Sequence, residues 1–364
     1  MVDRRFLLRL AALSLAVGTL TVPAMVGPAL ARGVGDPADR ASYAAWRERF
    51  VGQGGRVIDD ANGGVSHSEG QGYGMLLAVF HDDRAVFEEL WQWTRKTLSI
   101  RSDSLLAWRY DPSARPAVAD TNNATDGDLL VAWALAEAFG RWGEPAFEED
   151  ACRIGADILR HTVVEHQGRA ILLPGAAGFS AADRTDGPVV NLSYWVFPAF
   201  AALNEVKPDS RWRALADSGY ALIEASRFGP DDLPSDWISL AAETPRPADG
   251  FNPVFGWNAL RIPFHLAFAP PEWRGNRGLL APFVSLWPLG ASPRPIAVGS
   301  PATPLPPAFG SSGYDAVPAL TACSAHAQPY PDSLTRFAEE PYFPATLRLL
   351  SLCAAKRWYP ECLV

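Results

Sequence analysis

Asp128-Leu129-Leu130-Val131-Ala132-Trp133-Ala134-Leu135-Ala136-Glu137-Ala138-Phe139-Gly140-Arg141-Trp142 is the stretch on which the fold turns. Leu129, Ala132, Trp133, Ala136 and Phe139 fall at helical spacings. The same periodicity runs from about Met75 to Phe80 and from Arg84 to Lys96. It returns near Ala151–Val164, Val196–Asn204, Arg211–Ser226 and Ala345–Lys356. Short Gly-, Pro- and Asp-rich connections separate these segments, and strand patterns are sparse and short. The chain is therefore expected to be mostly helix. No clean sequence repeat is visible, which leaves structural repetition of helix pairs open.

Residues Trp287–Gly313 are rich in Pro, Gly and Ser and are expected to form a long loop. The roughly fifty residues beyond it are too few for a second core. One domain is expected over residues 32–364. Hydrophobic residues make up 48% of the chain, enough for a substantial core.

The N-terminus begins Met-Val-Asp-Arg-Arg, then carries no charged side chain from Leu10 to Ala31 and closes on Pro28-Ala29-Leu30-Ala31-Arg32. A basic start, an apolar middle and a small-x-small end read as a secretory signal over residues 1–31. The competing reading is an uncleaved membrane anchor, weakened by Gly18, Pro23 and Pro28. Arg4-Arg5 is a weak twin-arginine signal. A periplasmic or secreted location is expected. Removing residues 1–31 takes away three Arg and one Asp, so the formal charge moves from −8 to −10. Such an acidic chain does not suit nucleic acid, whose phosphates call for a basic surface.

Export permits disulfides, and the four cysteines, Cys152, Cys323, Cys353 and Cys362, allow three full pairings. Three of them lie near the C-terminus. A clasp there through Cys362, or buried free thiols at Cys152 and Cys353, are the two expectations. The sequence has no Cys-x-x-Cys and no closely spaced His pair, so metal ligation has little support.

Two stretches concentrate polar chemistry. In Val65-Ser66-His67-Ser68-Glu69-Gly70-Gln71-Gly72-Tyr73-Gly74-Met75 one carboxylate stands among three glycines, just before an apolar helical run. Glycines permit close approach of backbone or ligand. A partly buried Glu there has its pKa raised and can serve as an acid. The plainer reading is a Glu favoured by the helix macrodipole. In Asp120-Thr121-Asn122-Asn123-Ala124-Thr125-Asp126-Gly127-Asp128, Thr125 or Asp126 is positioned to cap the following helix, with Asp128 in its first turn. The Gly-x-Gly-x-Gly spacing lacks both the dinucleotide pattern and a P-loop Lys-Ser/Thr.

Together these stretches resemble glycoside hydrolase family 8. Ser68 to Met75 is similar to its acid-bearing motif, and Ala124 to Leu135 to its Asp-containing signature. Leu106-Ala107-Trp108-Arg109-Tyr110, Asn191-Leu192-Ser193-Tyr194-Trp195-Val196-Phe197-Pro198, Ser235-Asp236-Trp237 and Ala259-Leu260-Arg261-Ile262-Pro263 extend the resemblance. It is closest to the periplasmic endoglucanases that accompany bacterial cellulose synthases. The resemblance implies an all-α (α/α)6 barrel that cleaves β-1,4-glucan internally with inversion, acts as a monomer and needs no cofactor. A cellulose-synthase complex is the implied partner. By motif, Glu69 is the general acid and Asp126 binds and distorts the sugar. Tyr194 helps place the water, and Arg261 lines the cleft. Trp108, Tyr110, Trp195 and Trp237 are expected to stack on sugar rings. Asn123 and Asn258 complete the expected substrate contacts.

One departure stands out. The family's general base is an Asp in a motif like Tyr-Asp-Ala-x-Arg, whereas this chain reads Trp257-Asn258-Ala259-Leu260-Arg261. A neutral amide does not take a proton from water as a carboxylate does. Asp236, Asp120 and Asp249 are alternative bases by loop position, unranked. Slow hydrolysis, and glucan binding without hydrolysis, are the other readings. Chitosan, xylan and mixed-linkage glucan are alternative substrates.

Overall fold

The computed structural model describes residues 37–286, 293–300 and 303–363. The expected leader, residues 1–31, lies outside them. Eleven α-helices form among the described residues: α1 Pro37–Phe50, α2 Ser68–Phe80, α3 Arg84–Thr97, α4 Thr125–Trp142, α5 Pro145–His161, α6 Phe197–Val206, α7 Ser210–Ala225, α8 Arg261–Phe268, α9 Ala281–Leu286, α10 Ala316–His326 and α11 Tyr342–Trp358.

Six of them close a ring. α2 packs on α4, α4 on α6, α6 on α8, α8 on α10, α10 on α11, and α11 on α2. Around the ring α3 backs α2, α5 backs α4, α7 backs α6, α9 backs α10 and α1 backs α11. This is the expected (α/α)6 barrel. The two layers differ in pattern as burial requires. Inner α4 is buried without a break from Thr125 to Ala138, and α2 from Gly70 to Val79. Outer α3 buries one stripe, Phe87, Leu90, Trp91 and Thr94.

The inner helices run parallel, so their N-terminal ends share one face of the ring. Turns 81–83, 143–144 and 207–209 at the opposite face are short. Connections 98–124, 162–196 and 226–260, which lead back to the N-terminal face, are long and carry the small antiparallel pairings. Ile296–Ala297, within the segment expected to be loop, pairs with Val254–Phe255.

Polar groups tie the layers together. Gln71 is fully buried in α2; it accepts from Val57 N at 2.7 Å and donates to Gly55 O and Thr94 Oγ1 at 3.0 Å. Trp46 Nε1 of α1 donates to Thr346 Oγ1 of α11 at 2.9 Å. Arg348 is buried in α11 against Glu340 at 2.6 Å, with Ser312 Oγ and Ser333 O taking its other donors, the full pairing that a buried charge needs. Cys323 of α10 is joined to Cys362, with Cα atoms 6.0 Å apart, while Cys152 and Cys353 are free and half-buried. The clasp closes through Cys362, and the two helical cysteines stay free thiols, half-buried where burial was expected.

Candidate active site

Glu69, Asp126 and Arg261 start three inner helices, α2, α4 and α8, and meet at the N-terminal face of the ring. Their meeting depends on how closely α2 and α4 approach. A Cβ on Gly72 would lie 2.5 Å from Leu130 Cβ, and one on Gly127 would lie 2.0 Å from Ser68 Oγ and 2.7 Å from Glu69 N. Both are closer than real Cβ contacts. These glycines serve helix approach, not ligand approach.

One nitrogen then joins the two acids. Arg261 Nη1 donates to Glu69 Oε1 at 2.5 Å and to Asp126 Oδ2 at 2.8 Å, and Nη2 donates to Asn258 Oδ1 at 3.0 Å. Arg261 is 3% exposed. Burial works against its charge, but Glu69, Tyr73, Asp126 and Tyr194 outweigh that and hold its pKa well above the ordinary value. Asp126 is 2% exposed, and its other oxygen accepts from Gly127 N at 2.8 Å. Burial raises its pKa to about 6 against the pull of Arg261, with Glu69 raising it further. Glu69 is the more open of the two, its side chain 24% exposed. The helix N-termini around them favour negative charge.

The capping expectation does not hold. Ala124 occupies the N-cap of α4 with no side-chain cap, Asp126 points to Arg261, and Thr125 Oγ1 donates to Leu173 O at 2.7 Å. Asp128 faces inward instead. It accepts from Leu106 N and Asn123 Nδ2, both at 2.8 Å, and burial raises its pKa to about 7.

The expected sugar-binding residues divide. Tyr194 is at the centre: the Arg261 guanidinium lies 5.6 Å from its ring centroid, and burial followed by the Asp126 charge holds its hydroxyl well above the usual pKa. Trp108 stacks with His67 at 6.0 Å and donates to Asp120 Oδ2 at 2.9 Å. Trp237 stacks with Phe251 at 4.6 Å and Phe179 at 5.6 Å. Tyr110 meets Trp93 edge-on at 5.5 Å with Arg56 over its ring, so the protein itself engages that ring. Two residues need correction. Trp195 is fully buried, and its Nε1 donates to Leu215 O at 2.9 Å, so it is core. Asn123 is 3% exposed and spends its amide on Asp128 and Ala176 N, so it shapes the loop instead of touching a ligand.

Asn258 lies in the turn before α8, where it contacts Arg261. Asp236 is buried under that turn, accepting from Gly256 N at 2.9 Å and Ala259 N at 2.8 Å and also bonded by Asn258. Burial raises its pKa. Of the three alternative carboxylates Asp236 is thus the one in contact with Asn258. Asp120 serves Trp108, and Asp249 is exposed and paired with Arg246 at 2.7 Å.

Three residues at this face were not singled out from the sequence. Tyr73 and Tyr342 are buried beside Glu69, whose charge adds to burial in raising their pKa values. Trp257 is 36% exposed and packs on Phe309 at 4.4 Å and Tyr314 at 5.3 Å. Its place next to Asn258 was the only signal for it.

Comparison with known proteins identifies the family. Residues 18–357 match the family described as Glycosyl hydrolases family 8. An endoglucanase of Cellulomonas uda is 42% identical over 243 residues, 66% of this chain and 66% of its own length. A probable endoglucanase of Novacetimonas hansenii is 40% identical over 64% of this chain and 69% of its own. Among solved structures, a family 8 endo-β-1,4-glucanase from an Achatina fulica gut metagenomic library superposes with a TM-score of 0.77 at 38% identity, covering 86% of this chain and 96% of the other. An endo-β-1,4-glucanase of Acetobacter xylinum gives 0.77 at 34% identity, covering 88% and 98%.

Proposed function

The chain belongs to glycosyl hydrolase family 8, and from that premise we propose that it cleaves internal β-1,4 bonds of a cellulose-like glucan. The observation that carries this reading is the single Arg261 nitrogen shared by Glu69 and Asp126 at a face bordered by Trp108, Trp237 and Trp257. Glu69, the more open acid, protonates the leaving oxygen. Asp126 has both oxygens engaged and is nearly sealed, which suits holding a distorted sugar better than attacking one. Sharing one nitrogen also brings the two carboxylates too close for a water between them, as an inverting acid–base pair would need. Inversion therefore requires a different water-activating group. The aromatic rings offer flat apolar faces to pyranose rings while leaving hydroxyls to polar neighbours.

A second reading rests on Asn258. With an amide where a carboxylate is expected, the chain would bind glucan and hydrolyse it slowly or not at all. Product analysis on carboxymethyl-cellulose, chitosan, xylan and mixed-linkage glucan separates these readings. Rapid loss of carboxymethyl-cellulose viscosity with slow release of reducing ends is the expected result. Binding without any release would favour the second reading, and release from another polymer alone would move the substrate. A place outside the cytoplasm, beside a cellulose-synthase complex, completes the proposal. The apolar N-terminal stretch and the Cys323–Cys362 disulfide support the location.

A further inference from the structure

A cavity of about 370 Å³ opens at the end of the barrel away from the acids. Its walls come from the far halves of inner helices: Trp133 and Glu137 of α4, Phe268 of α8, Arg357 and Trp358 of α11. Glu137 lies eleven positions along α4 from Asp126, about 16 Å at the helical rise.

Glu137 interrupts the apolar run Leu129–Ala138, and its side chain is only 8% exposed. A carboxylate so placed is costly unless fully bonded. Two donors reach it, Trp133 Nε1 at 2.9 Å and Arg357 Nη1 at 2.7 Å, and both fall on Oε1. Among the described residues Oε2 has no hydrogen-bond donor, although Glu137 lines the cavity. Arg357 is held by the rings of Trp358 at 5.1 Å and Phe80 at 5.8 Å, and its Nε is buried without a partner.

We propose that this cavity is a second, non-catalytic carbohydrate site that takes the end of a β-glucan chain or a short oligosaccharide. The volume lies in the range of small-molecule sites. Glu137 supplies an acceptor, Arg357 a donor, and Trp358 and Pro270 apolar walls, the mixture a neutral pyranose needs. An anion is disfavoured by Glu137 together with Glu205 and Glu272 at the rim. An organic cation finds no unpaired buried carboxylate, because Arg357 already neutralises Glu137 while Glu205 and Glu272 are exposed to solvent. Only the identity of the sugar rests on the function proposed above.

The test is calorimetric titration of full-length protein carrying Glu69→Gln with cellotetraose. Two sites are expected. Adding Ala202→Trp, which fills the cavity mouth from a half-buried small residue, should leave one. Adding Glu137→Gln instead should weaken that site about tenfold, the worth of a hydrogen bond to a charge. Ala202→Trp alone should keep kcat/KM on carboxymethyl-cellulose unchanged. Should Ala202→Trp not fold, Asn204→Arg at the rim is to remove the same site. One site only, or a second site indifferent to these changes, would overturn the inference. Two sites in the Glu69→Gln protein, with no cleavage of carboxymethyl-cellulose by the wild type, would overturn the hydrolytic reading and leave this one standing.

Discussion

Asn258 Oδ1 accepts a hydrogen bond from Arg261 Nη2 at 3.0 Å, on the same guanidinium that holds Glu69 and Asp126. Asn258→Asp would place a carboxylate where the resemblance of the Trp257–Arg261 stretch implies a general base. An increase in kcat of about tenfold or more is expected, within the span general bases contribute. The new charge lies against Asp236, so the acid limb of the pH–rate profile should move upward. An unchanged rate and profile would place Asn258 away from the attacking water.

Glu69→Gln keeps the side chain's shape but removes its proton. Turnover on carboxymethyl-cellulose should fall by at least about 10²-fold, with oligosaccharide affinity retained. Near-wild-type turnover would assign the acid role elsewhere.

Asp126→Asn tests whether this group holds the sugar. Because Asp126 is not a cap, kcat should fall while the folded protein persists, and the product should still appear as the inverted anomer by proton NMR. A retained anomer from the wild-type enzyme would instead make Asp126 a nucleophile, as its nearness to Glu69 permits.

Gly127→Ala tests the close approach of α2 and α4. The added methyl meets Ser68 Oγ and Glu69 N. A loss of about 1–3 kcal/mol in urea unfolding, typical of overpacking, should come with a fall in kcat as Glu69 is displaced. Full stability and activity together would mean that the helices can separate freely.

Burial gives a pH signature as well. Asp128 titrates near 7 in the native protein and near 4 when unfolded. Between those values the native state keeps a proton that the unfolded chain has lost, so this group's contribution makes stability fall as pH rises. His265 works the other way, because burial lowers its pKa to about 3 and stability is lost as the unfolded histidine protonates below about 6.5. The difference between wild type and Asp128→Asn isolates the carboxyl: the variant should gain on the wild type as pH rises from about 4 to 7. A constant difference across that window would show Asp128 ionised throughout.

Much of this could be read from the sequence where one side chain faces one environment. The stripe Phe87, Leu90, Trp91 of α3 announces an outer helix. Short helices buried on every side, such as α8 and α10, are too brief to show a period, and α1 hides its Tyr43, Trp46 and Phe50 among charged residues. The acids were legible from their motifs. The roles of Asn123 and Trp195 were not, since a polar or aromatic residue in a motif looks the same whether it faces ligand or core. Only the fold shows Asn123 bonded to Asp128 and Trp195 to Leu215.

The parallel run of the inner helices separates what the chain must keep from what it can exchange. The short turns at one end fix the order of the helices, while the long segments 98–124, 162–196 and 226–260 pass over the acids at the other. Those segments bring Trp108, Tyr194, Trp237 and Asn258 to the site without forming the ring. Grafts from relatives with other substrates could therefore retune polymer preference while the frame that positions Glu69 and Asp126 stays as it is.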